Sequence, residues 1–171
     1  MAVFETIRNF LYTALANKDY SLLAILLFIF FIVVIKRLVH AFKNRHYSRM
    51  EKLIRAYSDR PRDFEYFVAD LYEGLGYETE VTGGSRDGGK DIIMRKGRKQ
   101  YAVEVKLYEQ DRKISREKIQ KLHSAMIDTD SDFGIFVTTS DFTADAESYA
   151  EKYGIICVNG RELSRMIKSS V

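Results

Sequence analysis

The longest apolar stretch lies near the start of the chain, where all fourteen residues from Leu22 to Ile35 are hydrophobic and no formal charge occurs from Tyr20 to Ile35. An amphipathic surface helix would interrupt such a run with a polar stripe, and none is present. Sixteen residues at ~1.5 Å each cover about 24 Å of a ~30 Å hydrocarbon core. Snorkelling by Lys36 and Arg37, the apolar pair Leu38-Val39 and slight bilayer thinning close the gap. The pattern predicts a transmembrane helix over 20–38 after a short extracytoplasmic N-terminus, 1–19. The pattern reads as a transmembrane helix rather than a signal peptide, because acidic Glu5 and Asp19 precede the run and no small-residue cleavage site follows it.

From residue 61 the periodicity is that of a folded domain. Pro61 opens a run with Phe64, Phe67, Val68, Leu71 and Leu75 at helical spacing, and Gly74 and Gly76 end it. Tyr77 to Thr82 alternates as a short strand. Asp91–Arg95 and Gln100–Leu107 flank Lys96-Gly97-Arg98-Lys99 as a hairpin. Ser115 caps a helix through Ile127, Phe133–Thr139 is a buried strand, Thr143 opens a helix through Tyr153, Ile155–Val158 is a second buried strand, and Arg161–Lys168 is a last helix. Strands alternating with helices in the second half imply parallel crossovers. The predicted fold is therefore an α/β domain, a mixed β-sheet flanked by helices on both faces, occupying 61–171.

Charge changes the picture of the region between the two. The chain carries 27 basic and 24 acidic side chains, net +3, but residues 36–60 hold eight basic against two acidic, net +6, while 1–35 are neutral and 61–171 are net −3. The positive-inside rule then places the domain in the cytoplasm of a single-pass inner-membrane protein, with 39–60 a basic juxtamembrane helix or linker beside anionic headgroups. One cysteine cannot form an intrachain disulfide, and 46% hydrophobic residues exclude disorder.

The hairpin carries the candidate chemistry. With a turn centred between Gly97 and Arg98, paired residue numbers sum to 195, which sets Asp91 opposite Glu104. Ile92, Met94, Tyr101, Val103 and Val105 fall on one face, and Asp91, Ile93, Ala102, Glu104 and Lys106 on the other. Opposed carboxylates repel unless a positive group lies between them. A divalent cation such as Mg²⁺ suits two carboxylates plus phosphate oxygens, and Lys106 on the same face can orient a water or contact the phosphate. The segment 86–121 holds twelve basic against six acidic residues, a local basic patch able to gather phosphates.

The string Gly83-Gly84-Ser85-Arg86-Asp87-Gly88-Gly89-Lys90-Asp91-Ile92-Ile93, followed by Tyr101-Ala102-Val103-Glu104-Val105-Lys106, resembles the catalytic domain of Mrr-type restriction endonucleases, within the PD-(D/E)xK nuclease superfamily. Phe64-Glu65 and the run from Gly134 to Ala146 add to the resemblance, which spans about Pro61 to Leu163. It implies that Asp91 and Glu104 are metal ligands, Lys106 the catalytic lysine, Glu65 an accessory acid, and Asp87 the family's loop aspartate or simply an Asp-Gly turn residue. The implied reaction is Mg²⁺-dependent hydrolysis of DNA phosphodiesters, with Mn²⁺ as a substitute, and with Ser85, Arg86, Arg112, Lys113 and Gln120 as phosphate or groove contacts. Many family members have Gln at the position of Glu104, and many carry a DNA-reading module where this chain has the apolar segment.

DNA and a lipid bilayer are the implied partners, and no small-molecule substrate is called for. Cutting both strands usually takes two copies, which leaves a homodimer open. Two alternatives also stay open: a membrane-tethered nucleic-acid-binding module without turnover, and a structure-specific junction-resolving or repair nuclease. His40, His46 and His123 form no metal spacing with Cys157, which reads as a core residue. Thr138-Thr139-Ser140 reads as capping the helix that follows, with anion binding the alternative.

Overall fold

A computed structural model of the chain describes residues 20–82 and 90–169, together with Glu5, Arg8, Asn9 and Tyr12; within the first helix the side chains at 20–23, 40 and 42–48 are also left undescribed. Ser85, Arg86 and Asp87 therefore lie outside the described residues, as does most of 1–19. The chain divides into two compact units, Met1–Arg45 and His46–Val171.

In the first unit the described backbone is the start of helix α1, Tyr20–Tyr57, preceded by Glu5, Arg8, Asn9 and Tyr12, which are also helical. Its large apolar side chains Ile25, Leu27, Phe28, Phe30 and Phe31 are all more than half exposed. Among the described residues no helix is long and apolar enough to cross a membrane, so the transmembrane helix expected over 20–38 is not found there.

The second unit contains the end of α1, then α2 (Pro61–Glu73), β1 (Glu78–Val81), β2 (Ile92–Lys96), β3 (Lys99–Lys106), α3 (Arg116–Asp128), β4 (Phe133–Thr138), α4 (Ala144–Lys152), β5 (Ile155–Val158) and α5 (Gly160–Ser169). The five strands form one sheet in the order β1-β2-β3-β4-β5. β1, β2 and β3 are antiparallel neighbours, whereas β3, β4 and β5 run parallel through the crossover helices α3 and α4. The mixed α/β sheet expected from the alternation is the one observed.

The hairpin register follows the arithmetic: Ile92 pairs with Val103, Ile93 with Ala102 and Lys96 with Lys99, each summing to 195. Gly97 supplies the positive φ of +61° at the first central position of this two-residue turn, which is the residue a II′ geometry demands. Strand alternation then separates two cores. Ile92, Met94, Val103 and Val105 pack with Ile135, Val137 and Val158 against Met50 of α1, Phe64, Val68 and Leu71 of α2, and Leu163 of α5. Ile93, Ala102, Phe136 and Ile155 pack on the opposite face against Ile119, Leu122 and Met126 of α3 and Ala146 and Ala150 of α4.

Packing also draws in the end of α1. Met50 is fully buried, Ile54 nearly so, and Arg49 Nη1 donates to the Ser164 carbonyl at 2.9 Å and to its hydroxyl at 3.1 Å. These contacts lie within the segment expected to be a basic juxtamembrane helix or linker, so part of that segment is a wall of the domain.

Candidate active site

The end of the hairpin positions the charged cluster. β3 continues past the start of β2, so the Val105 N–H has no ladder carbonyl opposite it. The Asp91 carboxylate takes that place, with Oδ2 accepting from Val105 N at 2.7 Å, while Asp91 N donates to the Val103 carbonyl at 2.7 Å. Thr82 holds the same residue from the β1 side, its N–H donating to the Asp91 carbonyl at 2.9 Å. Asp91 is thereby fixed at both backbone and side chain.

Glu104 stands on β3 opposite Phe136 of β4 and is only 6% exposed. Its Oε1 pairs with Lys106 Nζ at 2.6 Å, but Oε2 is buried with no hydrogen-bond partner among the described residues. Lys106 Nζ also lies 3.3 Å from Asp91 Oδ2 and donates to the Val105 carbonyl at 3.1 Å. One ammonium therefore bridges the two carboxylates.

The electrostatics follow from this crowding. Burial raises the Glu104 pKa above the ordinary carboxyl range, and the charge of Asp91 adds to the rise, against the pull of Lys106 and of Lys121 on α3. Burial alone would lower Lys106, yet Glu104 and Asp91 outweigh it and hold the ammonium above its ordinary value. Glu65, projecting from α2 beside buried Phe64, is pushed up to about 7, first by desolvation and then by Asp91; Arg62 and Lys106 act against the rise. A carboxyl titrating near neutrality beside two other carboxylates is an arrangement typical of acid–base sites.

A cavity of about 410 Å³ opens on the cluster, lined by Ile54, Ser58, Pro61, Phe64 and Glu65 on one side and Val105, Lys106, Leu107, Tyr108, Glu109 and Arg112 on the other. Glu65, Lys106 and Arg112 line this one cavity, and Asp91 and Glu104 adjoin it through their pairing with Lys106. Lys113 and Gln120 are exposed and do not line the cavity. Lys121, adjacent to Gln120, was not singled out by the sequence, although its charge favours ionised Glu104.

The strand end is held from behind by residues whose part was also missed. Thr138 Oγ1 donates to the Lys106 carbonyl at 2.9 Å, and Thr139 Oγ1 both donates to the Tyr108 carbonyl at 2.7 Å and accepts from Tyr108 N at 2.9 Å. These buried hydroxyls do not cap α4. That is done by Thr143, whose side chain accepts from Ala146 N at 3.2 Å. Ser115 sits at the N-cap of α3 as expected, but makes no side-chain capping bond.

Among the described residues no group of three His, Cys, Asp or Glu side chains is placed to hold a metal by protein ligands alone. Mg²⁺, however, is commonly held by one or two carboxylates with the remaining positions filled by water and phosphate oxygens. The Asp91–Glu104 pair fits that mode, since a buried carboxylate oxygen without a partner requires a positive or donor group beside it.

Comparison with known proteins places this geometry. A family model described as restriction endonuclease, Mrr_cat, matches residues 57–167, about two thirds of the chain. The chain belongs to the Mrr_cat restriction endonuclease family. It is 36% identical over 89 residues to the uncharacterized protein y4cE of Sinorhizobium fredii, covering 50% of this chain and 23% of that protein. It is 28% identical over 116 residues to the type IV methyl-directed restriction enzyme EcoKMrr of Escherichia coli, covering 63% of this chain and 38% of the relative. Among solved structures, the DNA modification-dependent restriction endonuclease AspBHI superposes with a TM-score of 0.62 at 22% identity, over 73% of this chain and 35% of that one. The Mrr_cat chain described here thus spans well under half the length of each, and the last likeness establishes its fold.

Proposed function

We propose that this Mrr_cat chain is a metal-dependent DNA endonuclease of restriction type, held at the cytoplasmic face of the inner membrane by the apolar part of α1. The observation that carries the catalytic reading is Glu104: a buried carboxylate with one oxygen unpartnered among the described residues and the other paired with Lys106, which lines a cavity. Asp91 and Glu104 would hold Mg²⁺, or Mn²⁺ in its place. When bound, such an ion supplies Lewis-acid neutralisation of charge on the phosphate oxygens.

The chain's own residues do the rest. The Val105 N–H keeps the Asp91 carboxylate turned toward Lys106, and Lys106 Nζ, gripped at three points, is fixed as a donor for the scissile phosphate or the attacking water. Glu65, poised near pH 7, can accept the proton that the water gives up. Arg112 contributes a cation for the phosphate backbone. Asp87, Ser85 and Arg86 enter the proposal through their sequence motif alone.

The membrane part of the proposal rests on charge and exposure. Fourteen consecutive apolar residues end at Lys36 and Arg37, the segment 36–60 is net +6, and the apolar side chains described from Ala24 to Val39 are exposed apart from half-buried Val34. The test is cleavage of supercoiled plasmid by the full chain in detergent micelles, with Mg²⁺, Mn²⁺ or EDTA. Wild type should nick only with metal, and Asp91→Ala should lose at least about 100-fold in rate. Metal-independent nicking, or nicking unchanged in Asp91→Ala, would refute the reading.

A further inference from the structure

The cavity beside the cluster is larger than a phosphate group requires. At about 410 Å³ it lies within the ~300–1,000 Å³ of pockets that enclose small organic groups. Its walls are of two kinds. Ile54, Pro61, Phe64 and Leu107 present apolar surface, and across from them the Arg112 guanidinium lies 4.1 Å from the centre of the Tyr108 ring.

This support is rigid. The Tyr108 main chain is bonded twice to the hydroxyl of Thr139, a buried residue directly after β4. Among the described residues no hydrogen bond or ion pair engages the Arg112 guanidinium, so its planar set of donors is available to an anion. The remaining wall is Ser58, Val105 and Glu109 together with Lys106 and Glu65, the last two belonging to the cluster.

An apolar wall, an aromatic ring and a rigidly backed guanidinium, side by side within reach of Lys106, are complementary to one nucleotide, with its base on the apolar side and its phosphate on Arg112. They are not complementary to a base pair, whose two joined bases cannot both enter a cavity of this size. We infer that the cavity takes a single nucleotide of the cut strand out of the helical stack, next to the bond being hydrolysed. The inference rests on the nuclease reading above and deepens it, because it gives the site a substrate preference. Unstacking is least costly where the nucleotide is already unpaired.

The experiment compares cleavage of two otherwise identical duplexes by the full chain in detergent with Mg²⁺, one fully paired and one carrying a single mismatch beside the cut. Wild type should prefer the mismatched duplex by about tenfold in kcat/KM. Ser58→Trp places an indole at the exposed rim of the cavity without touching the core, and it should bring that ratio close to one while the chain melts as wild type does. Arg112→Ala should raise KM on both duplexes several-fold.

Equal cutting of the two duplexes by wild type overturns the inference and leaves the nuclease reading intact. A mismatch preference undiminished in Ser58→Trp also overturns it. No cutting of either duplex overturns the nuclease reading, and the inference with it.

Discussion

Glu65→Gln should make the protein more stable at pH 8 and leave it unchanged at pH 4. Glu65 is half-buried and repelled by Asp91, which together push its pKa from 4.5 to about 7. A carboxyl with a raised folded pKa binds more protons in the folded than in the unfolded state between those two values. Its effect is therefore absent below about pH 4.5, and stability is lost as pH rises from 4.5 to about 7 and remains lost above. The full interval corresponds to ~3 kcal/mol, and solvent screening of a half-exposed group reduces it to ~1–2 kcal/mol. Glutamine removes the charge and keeps the shape, so it should recover that amount at pH 8. For a chain of this size the melting temperature should rise by roughly 3–6 °C. The assay is thermal melting of wild type and variant at pH 4 and pH 8 in EDTA. Equal melting at pH 8, or a shift of the same size at both pH values, would refute the electrostatic reasoning.

Three other perturbations follow from the same geometry. Gly160→Ala should destabilise the domain by ~2–3 kcal/mol in a urea titration, because the new Cβ would overlap the Thr139 carbonyl, a backbone group that cannot swing aside, and crowd Met50. Thr139→Val removes both bonds to the Tyr108 main chain and takes the partner from that half-buried N–H and carbonyl; it should cost ~1–3 kcal/mol and lower cleavage, measured by urea titration and plasmid nicking together. Cys157, whose thiol is pushed up to about 12 by burial and then by Glu147 and Glu162, should resist iodoacetamide at pH 8 in the folded chain and react fully in urea, as mass spectrometry would show.

The hairpin was legible because two local rules fix it. Gly97 determines the turn and strand alternation sorts the faces, so the register and the meeting of Asp91, Glu104 and Lys106 follow from residue numbers alone. The helices were legible from Pro61, Thr143 and the apolar spacing of Phe64, Val68 and Leu71. What stayed hidden depends on contacts far apart in sequence. Met50 and Arg49 lie in a run of basic residues that reads as solvated, and only the approach of α5 shows that they pack. Thr138 and Thr139 have the composition of a cap, and their part in holding Lys106 and Tyr108 needs β3 and β4 side by side. Lys121 lies one helical step from a residue chosen for its polarity, and its relation to Glu104 comes from the packing of α3 on the sheet. Arg112 was found for its charge, whereas its support by Tyr108 belongs to the fold.

The central claim is that Asp91, Glu104 and Lys106 cut DNA rather than merely hold it. The most direct measurement is single-turnover cleavage of a labelled duplex by the full chain and by Lys106→Met in Mg²⁺, with binding followed by fluorescence anisotropy in the same samples. The account predicts that Lys106→Met binds within about threefold of wild type while its cleavage rate falls at least about 100-fold. Binding by both with cleavage by neither would contradict it and leave a module that holds nucleic acid without turnover.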